Sequence, residues 1–194
     1  YGKRYDGARL AETWELSGHP DGPSVLASGP DAGKTLAEYL AAHPGALGEH
    51  GRKFAELPVL IKLIDAKDNL SVQVHPDNEY ALRVEGEYGK TEMWYVLDAA
   101  KNARLVYGLR RDCTKEEIRE AIEKGKLTRY LQYVPIRKGD LFFIEAGTIH
   151  AIGAGALVAE IQENSNLTYR LYDYDREDKN GKKRELHIEK ALEA

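Results

Sequence analysis

Apolar and polar positions change rhythm several times along the chain. They come in short pieces at 59–64, 70–75, 92–97, 103–107, 141–144, 157–161 and 168–172, each alternating or apolar and each bounded by Gly, Asp or Asn. Runs of that length with turn residues between them predict an antiparallel sandwich or barrel. Two stretches carry a helical rhythm instead. Thr35-Leu36-Ala37-Glu38 has the form of a capping box, in which a hydroxyl and a carboxylate satisfy the first free amides of a helix. Leu36, Tyr39 and Leu40 share one side of it, and Pro44 stops it. Thr114-Lys115-Glu116-Glu117 repeats the signal, with Ile118, Ala121 and Ile122 inward and Gly125 as the C-terminal cap. Both helices read as covers on a sheet.

Between these elements, seven Gly or Pro residues fall within 17–33, a density that predicts a long ordered loop. Residues 175–184 are almost wholly polar, and Asn180-Gly181 marks a turn, so a solvated hairpin or loop is expected there. A short final element follows at 186–192, and no repeat of solenoid period is visible. The expected organisation is one domain: an N-terminal meander and short helix over 1–54, a barrel over 55–175 and a tail over 176–194.

Composition narrows the function. The 194 residues are 42% hydrophobic, enough for a core of their own, and 28 basic against 32 acidic residues give a net charge of −4. That balance gives no electrostatic reason to bind nucleic acid or a membrane, and a small molecule is the expected partner. Cys113 is alone, the start has no basic-then-apolar leader, and the longest apolar stretch, 149–159, contains His150. The expectation is a soluble, cytoplasmic protein.

Four potential metal ligands stand on three separated pieces: Gln73 and His75 in Ser71-Val72-Gln73-Val74-His75-Pro76-Asp77, Glu92 after Gly89-Lys90-Thr91, and His150 after Gly147-Thr148-Ile149. Strand alternation puts Ser71, Gln73 and His75 on one face, and Pro76 holds His75 extended. Two imidazoles, a carboxylate and an amide oxygen suit one zinc-like divalent ion per chain and leave an exchangeable position, as catalytic sites do.

The piece from Gly139 to His150 resembles the second cupin motif, G-x5-P-x-G-x2-H, with Glu145 where the family has Pro. That resemblance implies a mainly β chain folded as a double-stranded β-helix, or jelly roll, with a few short covering helices. The Ser71–Asp77 piece, Gly89-Lys90-Thr91-Glu92-Met93-Trp94-Tyr95, Gly147-Thr148-Ile149-His150-Ala151-Ile152-Gly153 and the run Thr168–Arg176 are together similar to type I phosphomannose isomerases, in their short bacterial branch. The similarity extends upstream through Glu12–Ser17 and downstream through Arg184-Glu185-Leu186-His187.

The resemblance implies a zinc-dependent enzyme that interconverts mannose 6-phosphate and fructose 6-phosphate, as a monomer or homodimer. It places the zinc ligands at Gln73, His75, Glu92 and His150, the catalytic arginine at Arg170, phosphate contacts at Ser71 and Lys90, and a pocket glutamate at Glu160. It also implies residues before Tyr1 and a further small β-domain beyond Leu186-His187, which the chain is expected to lack. Moving a proton between C1 and C2 needs a proton carrier: Lys90, Glu160 and a metal-bound water all qualify. Arg170 holds its charge too firmly for that and acts electrostatically. A catalytically silent cupin that binds a sugar phosphate is the competing function, and a different cupin enzyme, such as an iron dioxygenase, is a third.

The same residues have plainer readings. Lys90 and Glu92 can be a surface pair, Trp94 and Tyr95 barrel packing, and Arg170 an outward strand residue. Arg176, Lys179, Lys182, Lys183 and Arg184 read as solvated charge, and His19, His43, His50 and His187 as carrying no chemistry.

Overall fold

The computed structural model describes residues 10–54 and 56–194. In chain order the elements are β1 (Glu12–Leu16), α1 (Leu36–Ala42), α2 (Gly48–Gly51), β2 (Val59–Ala66), β3 (Val72–Val74), α3 (Asn78–Val84), β4 (Glu92–Ala99) and β5 (Arg104–Leu109). There follow α4 (Lys115–Glu123), β6 (Leu131–Pro135), β7 (Leu141–Ile144), β8 (His150–Ile152), β9 (Ala156–Glu163), β10 (Tyr169–Tyr172) and α5 (Ile188–Glu193). Both expected capping boxes close, Thr35 with Glu38 and Thr114 with Glu117. Gly125 has φ +63° just after α4, as the cap requires. The polar loop closes through a bridge between Glu177 and Lys183, with Gly181 at φ +74°. The last element is a helix, α5.

The ten strands among the described residues form two antiparallel five-stranded sheets, in the orders β1-β2-β9-β4-β7 and β10-β3-β8-β5-β6. This is the expected mainly β fold. In the first sheet the alternation is read directly: Leu60, Lys62, Ile64 and Ala66 of β2, Ala156, Val158, Glu160 and Gln162 of β9, and Glu92, Trp94 and Val96 of β4 are buried on the inner face. Its outer face leaves Tyr95, Leu141 and Phe143 exposed.

The second sheet is covered on both sides. Toward the first sheet, Leu105 and Ile152 join Trp94, Val96, Ile144 and Val158 in one apolar core. Away from it, Val72, Val74, Val106, Ala151 and Leu171 pack against Ile118 of α4, Tyr80 of α3 and Ala191 and Leu192 of α5. Burial on both faces is why Val72 and Val74 of β3 and Ala151 and Ile152 of β8 are all apolar, with only Gln73 and His150 polar between or before them. The apolar barrel core occupies one end of the space between the sheets, and the inward polar residues gather at the other.

Candidate metal centre

Each ligand-bearing piece is aimed by its own local structure. The Gly147 turn between β7 and β8 has φ +83°, and its amide donates to the His75 carbonyl at 2.8 Å, which ties the His150 turn to the His75 strand. His150 is then the cross-strand partner of Gln73 on one side and Tyr107 on the other, while Arg170 partners Gln73. One row, Arg170–Gln73–His150–Tyr107, therefore crosses the second sheet. Glu92 opens β4 in the facing sheet. The loop before it passes so close to the chain at 76–77 that a Cβ on Gly89 would lie 2.4 Å from the Pro76 carbonyl oxygen, and the Lys90 amide bonds that same oxygen at 3.0 Å.

The result is a buried cluster. His75 Nε2 lies 3.4 Å from Glu92 Oε2, His150 Nε2 lies 3.3 Å from Glu92 Oε1, and the two imidazoles are 4.7 Å apart between centroids. Ligand atoms of these three residues lie within 4.8 Å of one another. None of the three is more than 1% exposed. Gln73, half-buried, brings its amide to 3.4 Å from His150 Nε2, and turning that amide over would aim its oxygen at the same point.

The unpartnered donor atoms suit a cation there. Both ring nitrogens of His75 and Oε1 of Glu92 are buried without a hydrogen-bond partner, a costly arrangement unless an ion takes them up, while Glu92 Oε2 meets the Lys90 ammonium. Burial, with the Lys90 charge beside it, pushes the His75 imidazole down to about 3, and burial likewise lowers His150, so both rings present lone pairs. His150 Nδ1 faces the Thr148 carbonyl at 2.8 Å, which leaves Nε2 free as the ligand atom. Burial pushes the Glu92 carboxyl up, but Lys90, His150 and His75 outweigh it and hold the group well below the usual carboxylate range. The donor set fits a divalent ion.

Next to this group, charges alternate inward. Lys90 Nζ is 3.0 Å from Glu92 Oε2 and 3.8 Å from Glu160 Oε1, and Lys62 Nζ is 3.5 Å from the same Glu160 oxygen. Trp94 Nε1 donates to Glu160 Oε2 at 2.9 Å, and the Trp14 ring lies 5.0 Å from Lys62 Nζ. Burial lowers the Lys90 ammonium, but Glu160 and Glu92 outweigh it and raise its pKa, so it stays charged.

Of the residues expected at a site, Gln73, His75, Lys90, Glu92, His150 and Glu160 come together. Ser71 is buried just before β3. Arg170 is in the row, with its guanidinium on the Glu185 carbonyl at 3.0 Å. The surface-pair reading of Lys90 and Glu92 fails, since both are buried. Tyr95 is exposed and outside the barrel packing, whereas Trp94 is fully buried. Arg176 and Arg184 are not simply solvated: both bind Asp173, which is 5% exposed. Lys62 is absent from the sequence-derived site. Its signal was available, a charge in phase with the inward positions Leu60 and Ile64.

Fold and cluster together define a two-sheet cupin-type barrel whose interior holds a buried group that could take a metal ion. The sequence profile of the phosphomannose isomerase type I catalytic domain matches residues 6–123, and the chain belongs to that family. It is 46% identical over 182 residues to a mannose-6-phosphate isomerase of Streptococcus mutans, covering 94% of this chain and 57% of the relative. It is 45% identical over 195 residues to the mannose-6-phosphate isomerase ManA of Bacillus subtilis, covering 100% of this chain and 61% of the relative. The crystal structure of the mannose 6-phosphate isomerase from Bacillus subtilis superposes with a TM-score of 0.87 at 45% identity, over 95% of this chain and 58% of that one. The chain thus spans about three-fifths of the length of the relatives it matches. No described helix is long and apolar enough to cross a membrane.

Proposed function

We propose that the chain carries the catalytic centre of a zinc-dependent aldose–ketose isomerase that interconverts mannose 6-phosphate and fructose 6-phosphate by proton transfer through an enediol. The observation that carries this reading is the buried His75, Glu92 and His150 group, in which the His75 nitrogens and Glu92 Oε1 lack hydrogen-bond partners, in a barrel shared with proteins named for that activity. His75, Glu92 and His150, with Gln73 as the fourth ligand, would hold one zinc ion. When bound, the ion supplies Lewis-acid stabilisation of the oxyanion that develops at the sugar carbonyl.

The chain's own groups do the rest. Lys90, kept charged between two carboxylates, gives a proton to the C1 oxygen as the enediol forms and regains one from the C2 hydroxyl as the ketone forms; it takes none from carbon. Glu160 Oε1, facing Lys62 and Lys90, takes the proton from C2 and returns it to C1. Trp94 fixes the other oxygen of that carboxylate, so the accepting atom is defined. Arg170 steers the sugar oxygens, and Ser71, in phase with Gln73 and His75 along the chain, receives the phosphate. Incubating the zinc-loaded protein with mannose 6-phosphate and measuring fructose 6-phosphate tests the proposal. Steady turnover is expected, and absence of product from a folded, zinc-loaded protein would overturn it.

A further inference from the structure

Arg170 is bracketed by the segment that follows the polar loop. Its amide donates to His187 Nδ1 at 3.2 Å, and its carbonyl accepts from the His187 amide at 2.8 Å. Its guanidinium donates to the Glu185 carbonyl at 3.0 Å. One residue earlier, Arg184 Nε donates to Asp173 Oδ2 at 2.8 Å, and Asp173 also binds Arg176, whose guanidinium reaches the Asn69 carbonyl at 2.8 Å. Residues 184–187 thus lie beside β10 without forming a strand.

The position needs such a brace. β10 has only four residues and is the last strand of its sheet, and its register against β3 slips between Arg170 and Tyr172. Toward the sheet, Arg170 is held by its pairing with Gln73, directly beside the slip. On the open side an imidazole nitrogen does what a main-chain carbonyl does inside a ladder. Because the Arg170 amide is a donor, the ring must offer its Nδ1 lone pair and carry its hydrogen on Nε2. The anchored guanidinium leaves its Nε buried and without a partner, a donor ready for an anionic oxygen.

We infer that His187 is a positioning residue for Arg170: its Nδ1 and main-chain amide fix the backbone from which the Arg170 guanidinium reaches the substrate. This rests on the reading that Arg170 acts on the sugar. Displacement of a group of this kind by about an ångström costs up to roughly 100-fold in rate.

The test compares H187L, which removes the acceptor, with H187N, whose side-chain oxygen can stand where Nδ1 does, and with R170A. Turnover of mannose 6-phosphate, zinc content and the hydrogen-exchange rate of the Arg170 amide are measured for each. H187L should lower kcat by about 10- to 100-fold with KM and zinc content little changed, and should speed exchange of the Arg170 amide, whereas H187N should stay within a few-fold of the parent in both. H187L turning over like the parent while R170A is inactive would overturn the inference. If R170A stays active, the reading of Arg170 fails, and the exchange rate alone decides the brace: unchanged exchange in H187L overturns it. Should H187L not fold, a folded, zinc-loaded H187N as slow as R170A would overturn it.

Discussion

Lys90 and Glu92 leave the chain two residues apart on the same face and meet again inside the barrel at 3.0 Å, both almost completely buried. A pair removed from water to this extent is held in place by its neighbours, and taking away one member strands the other. Replacing Lys90 by Met keeps the length of the side chain and deletes the charge between Glu92 and Glu160. Unfolding of the metal-free K90M protein in urea should show a loss of about 3–5 kcal/mol. A loss under about 0.5 kcal/mol would show that the two carboxylates do not depend on Lys90.

Glu92 is the one anionic member of the metal group, touching both imidazoles. E92Q is expected to come off a zinc-loading column with less than about a tenth of the parent's metal, because the amide carries no charge to offset a divalent ion. Metal analysis of the purified protein reads this directly, and full zinc occupancy would remove Glu92 from the ligand set.

Arg170 should behave in the opposite way. Its guanidinium bonds to the Glu185 carbonyl, and its row neighbour Gln73, not its own side chain, contacts His150. R170A should keep its zinc and lose turnover by at least about 100-fold. Zinc loss in a folded R170A protein would mean that the arginine supports the metal group and not the sugar.

Gly89 is a packing test of the same site. A methyl group there would collide with the main chain at Pro76 and Asp77, so the loop carrying Lys90 must move away from the His75 strand. G89A should destabilise the protein by about 2 kcal/mol or more and lower turnover together with metal affinity. A parent-like melting temperature and rate would show that the loop yields without cost.

The central strands were legible in the sequence. β2, β4 and β9 are short, largely apolar pieces bounded by turn residues, and the Gly147 turn announces His150. β1 and β6 were not recognised as strands. Glu12, Thr13 and Glu15 make β1 polar, and Pro135 ends β6; both are edge strands, where one neighbour suffices and the pattern is weak. α3 escaped notice because it is seven residues long, and its signal is a single Asp77 cap. In the site, ligand spacing along strands identified His75, Glu92 and His150. What spacing could not convey is which charges meet across sheets: Lys62 reads as an interruption of an apolar run until β9 places Glu160 opposite it. His187 contributes a ring nitrogen to a backbone hydrogen bond, which no local motif encodes.

The alternating quartet of Glu92, Lys90, Glu160 and Lys62 sums to zero formal charge. A divalent ion alone would leave this interior with two uncompensated positive charges, and a phosphate monoester dianion restores neutrality. On the proposed reading the interior would be electrically balanced both empty and with ion and dianion together. Metal and dianion should each tighten the other by the same factor, so zinc titrated in the presence of inorganic phosphate should bind more strongly than zinc titrated without it.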